Sequence, residues 1–94
     1  MSAQAIGSLL VEHNLTITTA ESCTAGLLSS LIAEVSGASS WFIGGWVTYS
    51  NALKVSQLGV RQTLLEQHGA VSSEVASAMA IGASKMSGSN VALS

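Results

Sequence analysis

The 94-residue sequence predicts a layered α/β/α domain on a mainly parallel sheet. Short stretches rich in β-branched or aromatic residues alternate with longer stretches whose apolar residues recur at helical spacing. The resulting order is α-β-α-β-α-α-α-β. Glycines and capping hydroxyls mark most of the boundaries. Strands alternating with helices pair in parallel through right-handed crossovers, with helices on both faces of the sheet.

Each element has its own signature. Ser2 is placed to cap a first helix that carries Ile6, Leu9 and Leu10 and ends near Asn14. "LTITTA" (Leu15–Ala20) reads as a buried strand. A second helix is expected from about Cys23 to Val35, with Leu28, Leu31, Ile32 and Val35 as its core stripe and Gly37 as its stop. "WFIGGWVTYS" (Trp41–Ser50) holds the second strand, where Gly44 and Gly45 permit a bulge or a close backbone approach. Asn51 reads as the cap of a short helix ended by Gly59, and "RQTLLEQHG" as another closed by Gly69. Ser72 caps a longer helix with Glu74 in its first turn. Its small residues, Ala76, Ala78, Ala80 and Ala83, suit close packing. "NVALS" (Asn90–Ser94) is a third strand. The chain stops there with nothing to cover that edge, so residues 1–94 read as one incomplete domain, the N-terminal portion of a larger one.

Composition narrows the function. Charged residues are 9% of the chain while hydrophobic ones are 48%; ordinary domains carry roughly 25% charged residues. So few charges leave little to solvate a full surface, so part of it is expected to be covered by further chain or by another subunit, and a homo-oligomer, most simply a dimer, is expected. The only basic residues are Lys54, Arg61 and Lys85, they are scattered, and the net charge is −2. Nucleic acid is therefore an unsuitable partner. No run of about 18 apolar residues marks a membrane span, and no charged start marks a signal peptide. One cysteine, Cys23, excludes an internal disulfide and offers too little for a metal site. A reducing cytoplasm is the matching compartment.

Ligands of open α/β sheets bind beyond the carboxyl ends of the strands. "ESCT" follows the first strand and "TYSNALK" the second, so parallel strands would bring the two segments to one edge. Ser22 reads either as a helix N-cap or as a nucleophile at the positive end of a helix. In the second reading, the backbone N–H groups of Cys23 and Thr24 are candidate oxyanion donors. Cys23 is a rival nucleophile, but His13 and His68 both sit near helix C-termini, and a buried structural thiol is the expectation. Lys54 stands in the first turn of its helix, where a cation opposes the helix dipole. That suits either a general base of lowered pKa or a lysine with its amine in water. Tyr49 reads as an edge aromatic or as a proton relay between Ser22 and Lys54. Glu21 suits either a cation partner or a contact to a substrate hydroxyl. Asn51 can orient Tyr49 or Lys54. No histidine–aspartate pair suits a serine triad, and "TAESCTAG" lacks the Gly-Lys of a phosphate loop.

"TTAESCTAGLLSSLIAEVSGASSWFIGGWVTYSNALKVSQLGV" and "TLLEQHGAVSSEVASAMAIGA" closely resemble the CinA C-terminal domain family, whose stand-alone members are nicotinamide-nucleotide amidases. The resemblance implies hydrolysis of the carboxamide of nicotinamide mononucleotide to nicotinate mononucleotide and ammonia, in pyridine-nucleotide recycling. It implies a serine–lysine dyad assisted by a tyrosine, with no metal and no cofactor. Ser22 matches that serine, Lys54 the lysine and Tyr49 the tyrosine. The sequence departs from the family's usual "SCTGG" at Ala25 and from "TYSNEAK" at Ala52 and Leu53. After a strand like "NVALS", the family continues with a "TGIAGP" loop expected to help bind the nucleotide. The resemblance therefore leaves the activity of residues 1–94 alone in question.

Overall fold

Three parallel strands in the order β2-β1-β3 form the centre of the molecule: β1 (Ile17–Glu21), β2 (Phe42–Val47) and β3 (Val91–Leu93). The computed structural model describes residues 2–94. The helices are α1 (Ala3–Glu12), α2 (Leu27–Ala33), α3 (Asn51–Leu58), α4 (Gln62–His68) and α5 (Ser73–Ser87), and a single 3-10 turn spans Ala38–Ser40. The expected α/β/α layering holds. The first layer packs Leu10 of α1 and Ile32 of α2 with Ile17, Ala38 and Trp41. The opposite layer packs Leu58, Val60, Leu65, Val75, Met79 and Ala83 against Ala20. Full burial of each large apolar side chain contributes on the order of 1.5–3 kcal/mol.

All five residues of β1 are buried because strands flank it on both sides and helices cover both faces. Its polar side chains are satisfied locally: the Thr18 hydroxyl donates to the Gly44 carbonyl at 2.7 Å. The two glycines do allow a bulge. Ile17 pairs with Phe42 but Thr18 pairs with Gly44, which leaves Ile43 as the extra residue. Asn90 sets the start of β3, its Oδ1 accepting the Thr16 N–H at 3.0 Å.

Several expected caps are present. Ser2 accepts the Ala5 N–H and Ser72 the Val75 N–H. Glu74, in the first turn of α5, also meets His68 Nδ1 at 3.1 Å. Three boundaries differ from the sequence expectation. Ser50, not Asn51, caps α3, its hydroxyl accepting the Leu53 N–H. The second helix ends at Ala33 rather than Val35, and left-handed Gly37 opens the 3-10 turn instead of stopping the helix. It also starts at Leu27, four residues later than expected, after a turn over residues 22–26 that ends on left-handed Gly26.

Candidate active site

The carboxyl ends of β1 and β2 lie side by side, Glu21 pairing with Val47. The ladder runs one step further, with the Thr48 N–H donating to the Glu21 carbonyl at 2.9 Å. Chain segments leaving these two ends carry all seven residues singled out in the sequence. Ser22, Cys23 and Thr24 follow Glu21 in a turn, and Tyr49 and Asn51 lead into Lys54 of α3.

Lys54 is completely buried, with 0% of its surface exposed. It is the fourth residue of α3, and side chains of a helix lean toward its N-terminus. Its amine therefore reaches back to the end of β2, where Nζ donates to the carbonyls of Thr48 at 2.8 Å and Tyr49 at 2.9 Å. Burial pushes the pKa of Lys54 below its ordinary value, and the nearby Cys23 sulfur opposes this in part. The alternative of a lysine with its amine in water is ruled out by this burial. A tetrahedral amine with Cε and two carbonyls on three sides keeps one direction free. In the neutral form that direction holds the lone pair. The Thr48 hydroxyl is buried and has no hydrogen-bond partner among the described residues.

Glu21 occupies a different place from the one expected. It is 2% exposed and turned into the protein, away from any cation or solvent-borne ligand. Its Oε1 accepts the Leu28 N–H at 2.8 Å, and its Oε2 accepts the Ser29 N–H at 3.1 Å and the Ser29 hydroxyl at 2.6 Å. The N-cap residue of α2 is Gly26, which has no side chain to cap with, so the Glu21 carboxylate satisfies free helix amides instead. Ser22 is consequently not a cap. Burial alone would raise the pKa of Glu21, but the hydrogen bonds from Ser29, Thr24 and Leu28 together hold it below its ordinary value.

Ser22 is half-buried, and its hydroxyl makes no hydrogen bond among the described residues. The Ala25 N–H closes the turn onto the Ser22 carbonyl at 3.1 Å. The N–H groups of Cys23 and Thr24 precede α2 rather than opening it, and they donate to no acceptor among the described residues. Cys23 is exposed, which corrects the expectation of a buried thiol. The Tyr49 side chain is 68% exposed, so its carbonyl, not its phenol, holds the lysine. Asn51 is exposed at the first position of α3. Sequence reasoning missed Thr19, Ser29, Gly45 and Thr48. Among these only Gly45 left a signal, as one half of a glycine pair in a strand.

The family model of the CinA C-terminal domain matches residues 1–94. The chain belongs to the CinA C-terminal domain family. A putative competence-damage inducible protein of Symbiobacterium thermophilum is 54% identical over 90 residues, 96% of this chain and 21% of that protein. The nicotinamide-nucleotide amidohydrolase PncC of Escherichia coli K12 is 46% identical over 92 residues, 98% of this chain and 56% of that protein. The crystal structure of a CinA-superfamily protein from Escherichia coli superposes with a TM-score of 0.93 at 36% identity, covering 96% of this chain and 52% of that one. The chain thus spans about a fifth of the longer relatives and about half of the shorter ones.

Family membership gives Ala25 a physical reading. It stands where "SCTGG" has its first glycine, and it holds φ at +50°. The left-handed conformation costs an L-residue roughly 1–2 kcal/mol. Ala25→Gly in this CinA-family chain is therefore expected to stabilise the fold by about 1 kcal/mol, raising Tm by roughly 4–8 °C. A thermal melt checks it, and an unchanged or lower Tm would show that the turn carries no such strain.

Proposed function

We propose that the site hydrolyses the carboxamide of nicotinamide mononucleotide, releasing ammonia and nicotinate mononucleotide, as part of pyridine-nucleotide recycling in the cytoplasm. The observation that carries this reading is the buried Lys54 amine held on the Thr48 and Tyr49 carbonyls, at the strand end adjoining the one that leads into Ser22. The 46% identity to a protein named as a nicotinamide-nucleotide amidohydrolase supports the substrate class.

In this mechanism the neutral Lys54 takes the proton of Ser22 as the serine oxygen attacks the carboxamide carbon. The Cys23 and Thr24 N–H groups receive the developing oxyanion. Collapse breaks the C–N bond, and Lys54 returns the proton to the leaving nitrogen, which departs as ammonia. Water then cleaves the ester on Ser22, giving the carboxylate product and restoring the hydroxyl. Tyr49 contributes its carbonyl to Lys54, and its side chain is exposed. Thr48 shares the hold on the amine.

The test is ammonia release from nicotinamide mononucleotide by the full-length protein and its Ser22→Ala variant. Loss of turnover with an unchanged circular dichroism spectrum is expected. Turnover equal to that of the parent would remove Ser22 from the mechanism. Binding of the nucleotide without ammonia release by the parent protein would make the domain a binding module instead.

A further inference from the structure

The turn carrying Ser22 follows Glu21, the last residue of β1, and ends at Gly26, the N-cap of α2. One residue bears on both ends of it. Glu21 leads into the turn through its backbone, and its carboxylate grips the Leu28 and Ser29 amides just beyond the turn. We propose that Glu21 is the positioning residue of the site, closing the 22–26 turn into a ring that fixes Ser22 between β1 and α2. This rests on the reading of Ser22 as the nucleophile.

Both carboxylate oxygens are engaged within the chain and the residue is 2% exposed, so Glu21 is not placed to contact a substrate. The Ser29 hydroxyl spends its single proton on Oε2 at 2.6 Å. The 2.7 Å bond between Thr19 Oγ1 and Ser29 Oγ must therefore run from threonine to serine. The result is a directed chain, Thr19 to Ser29 to Glu21, anchored in the buried middle of β1. Gly45 of β2 makes room for it, because a side-chain carbon there would strike the Thr19 hydroxyl and crowd Ser29 Oγ. A carboxylate that only capped α2 would need no bracing chain from the sheet.

Glu21→Gln tests this in the full-length protein. The amide keeps the shape but puts an NH2 group where one acceptor oxygen stood. Expected results are a kcat for ammonia release at least tenfold lower, a KM within about twofold of the parent, and faster hydrogen exchange at Leu28, Ser29 and Ala25. Ala25 is the deciding amide, because its bond to the Ser22 carbonyl lies inside the turn. Exchange accelerated at Leu28 and Ser29 alone would reduce Glu21 to a helix cap and overturn the proposal. A raised KM at unchanged kcat would make it a substrate contact and overturn it equally. Should the parent protein release no ammonia, the amidase reading fails by itself, and Ala25 exchange still decides whether Glu21 holds the turn. Ser29→Ala, which removes one of the three bonds, is expected to move the same readouts by a smaller factor. No change in Ser29→Ala would exclude the bracing chain.

Discussion

Lys54→Met is expected to lower kcat for ammonia release by roughly 10²–10⁴-fold, the usual loss when a general base is removed. Methionine keeps the length of the side chain in a fully buried site but cannot accept a proton. Combining it with Ser22→Ala should cost little more than either change alone, since in the proposed mechanism the two groups act as one unit. A kcat near that of the parent would remove lysine from the mechanism. The pH dependence gives an independent check. Only the neutral amine works as a base, so kcat/KM should rise with pH as Lys54 loses its proton. Burial places that rise below the ordinary lysine range. Between the lowered folded value and the ordinary unfolded one, the unfolded chain binds a proton that the folded chain does not. Folding stability should therefore increase with pH across that window, and this increase should be missing in Lys54→Met. Glu21 works in the opposite sense. Its folded pKa lies below the unfolded one, so its contribution is complete above the ordinary carboxyl value and is lost as the pH falls through the lowered value.

Gly82→Ala should produce the largest loss of stability from a single added carbon. Helix propensity alone predicts a gain of about 1 kcal/mol for alanine over glycine. Packing opposes it. A Cβ at Gly82 would run into the Leu58 carbonyl and crowd the Leu58 Cβ, where α5 crosses the end of α3. Backbone atoms cannot swing aside as a side-chain tip can, and such overpacking costs about 3 kcal/mol. The net expectation is a loss of about 2 kcal/mol, or a fall in Tm of roughly 8–16 °C. A melt at or above the parent Tm would mean that α3 yields without penalty.

What the sequence made legible was whatever neighbouring residues decide. Ser2 and Ser72 announce their helices because a cap acts three residues away. Lys54 drew notice because a cation in a first turn opposes the dipole of its own helix, and burial of that lysine is the reason for the conflict. The misreadings have a common origin in longer reach. The hydroxyls of Ser22 and Thr24 imitate a capping sequence, while the group that caps α2 is Glu21, seven and eight residues before the amides it serves. At α3 two good capping residues stand side by side, and local preference could not rank Ser50 against Asn51. The carbonyls that cradle Lys54 belong to the backbone, which every sequence possesses, so no residue type marked them.

The strand order β2-β1-β3 also has a consequence in time. On the ribosome, β1 emerges before β2, yet it gains its second neighbour only when Asn90 and Val91 arrive, and the Asn90 contact to Thr16 closes 74 residues of chain. The strands and loops that carry Ser22 and Lys54 lie between Ile17 and Leu58, and α5, made later, packs against α3 at Leu58. The β1–β2 edge can therefore pair before β3 is made, and β3 then gives β1 its second neighbour.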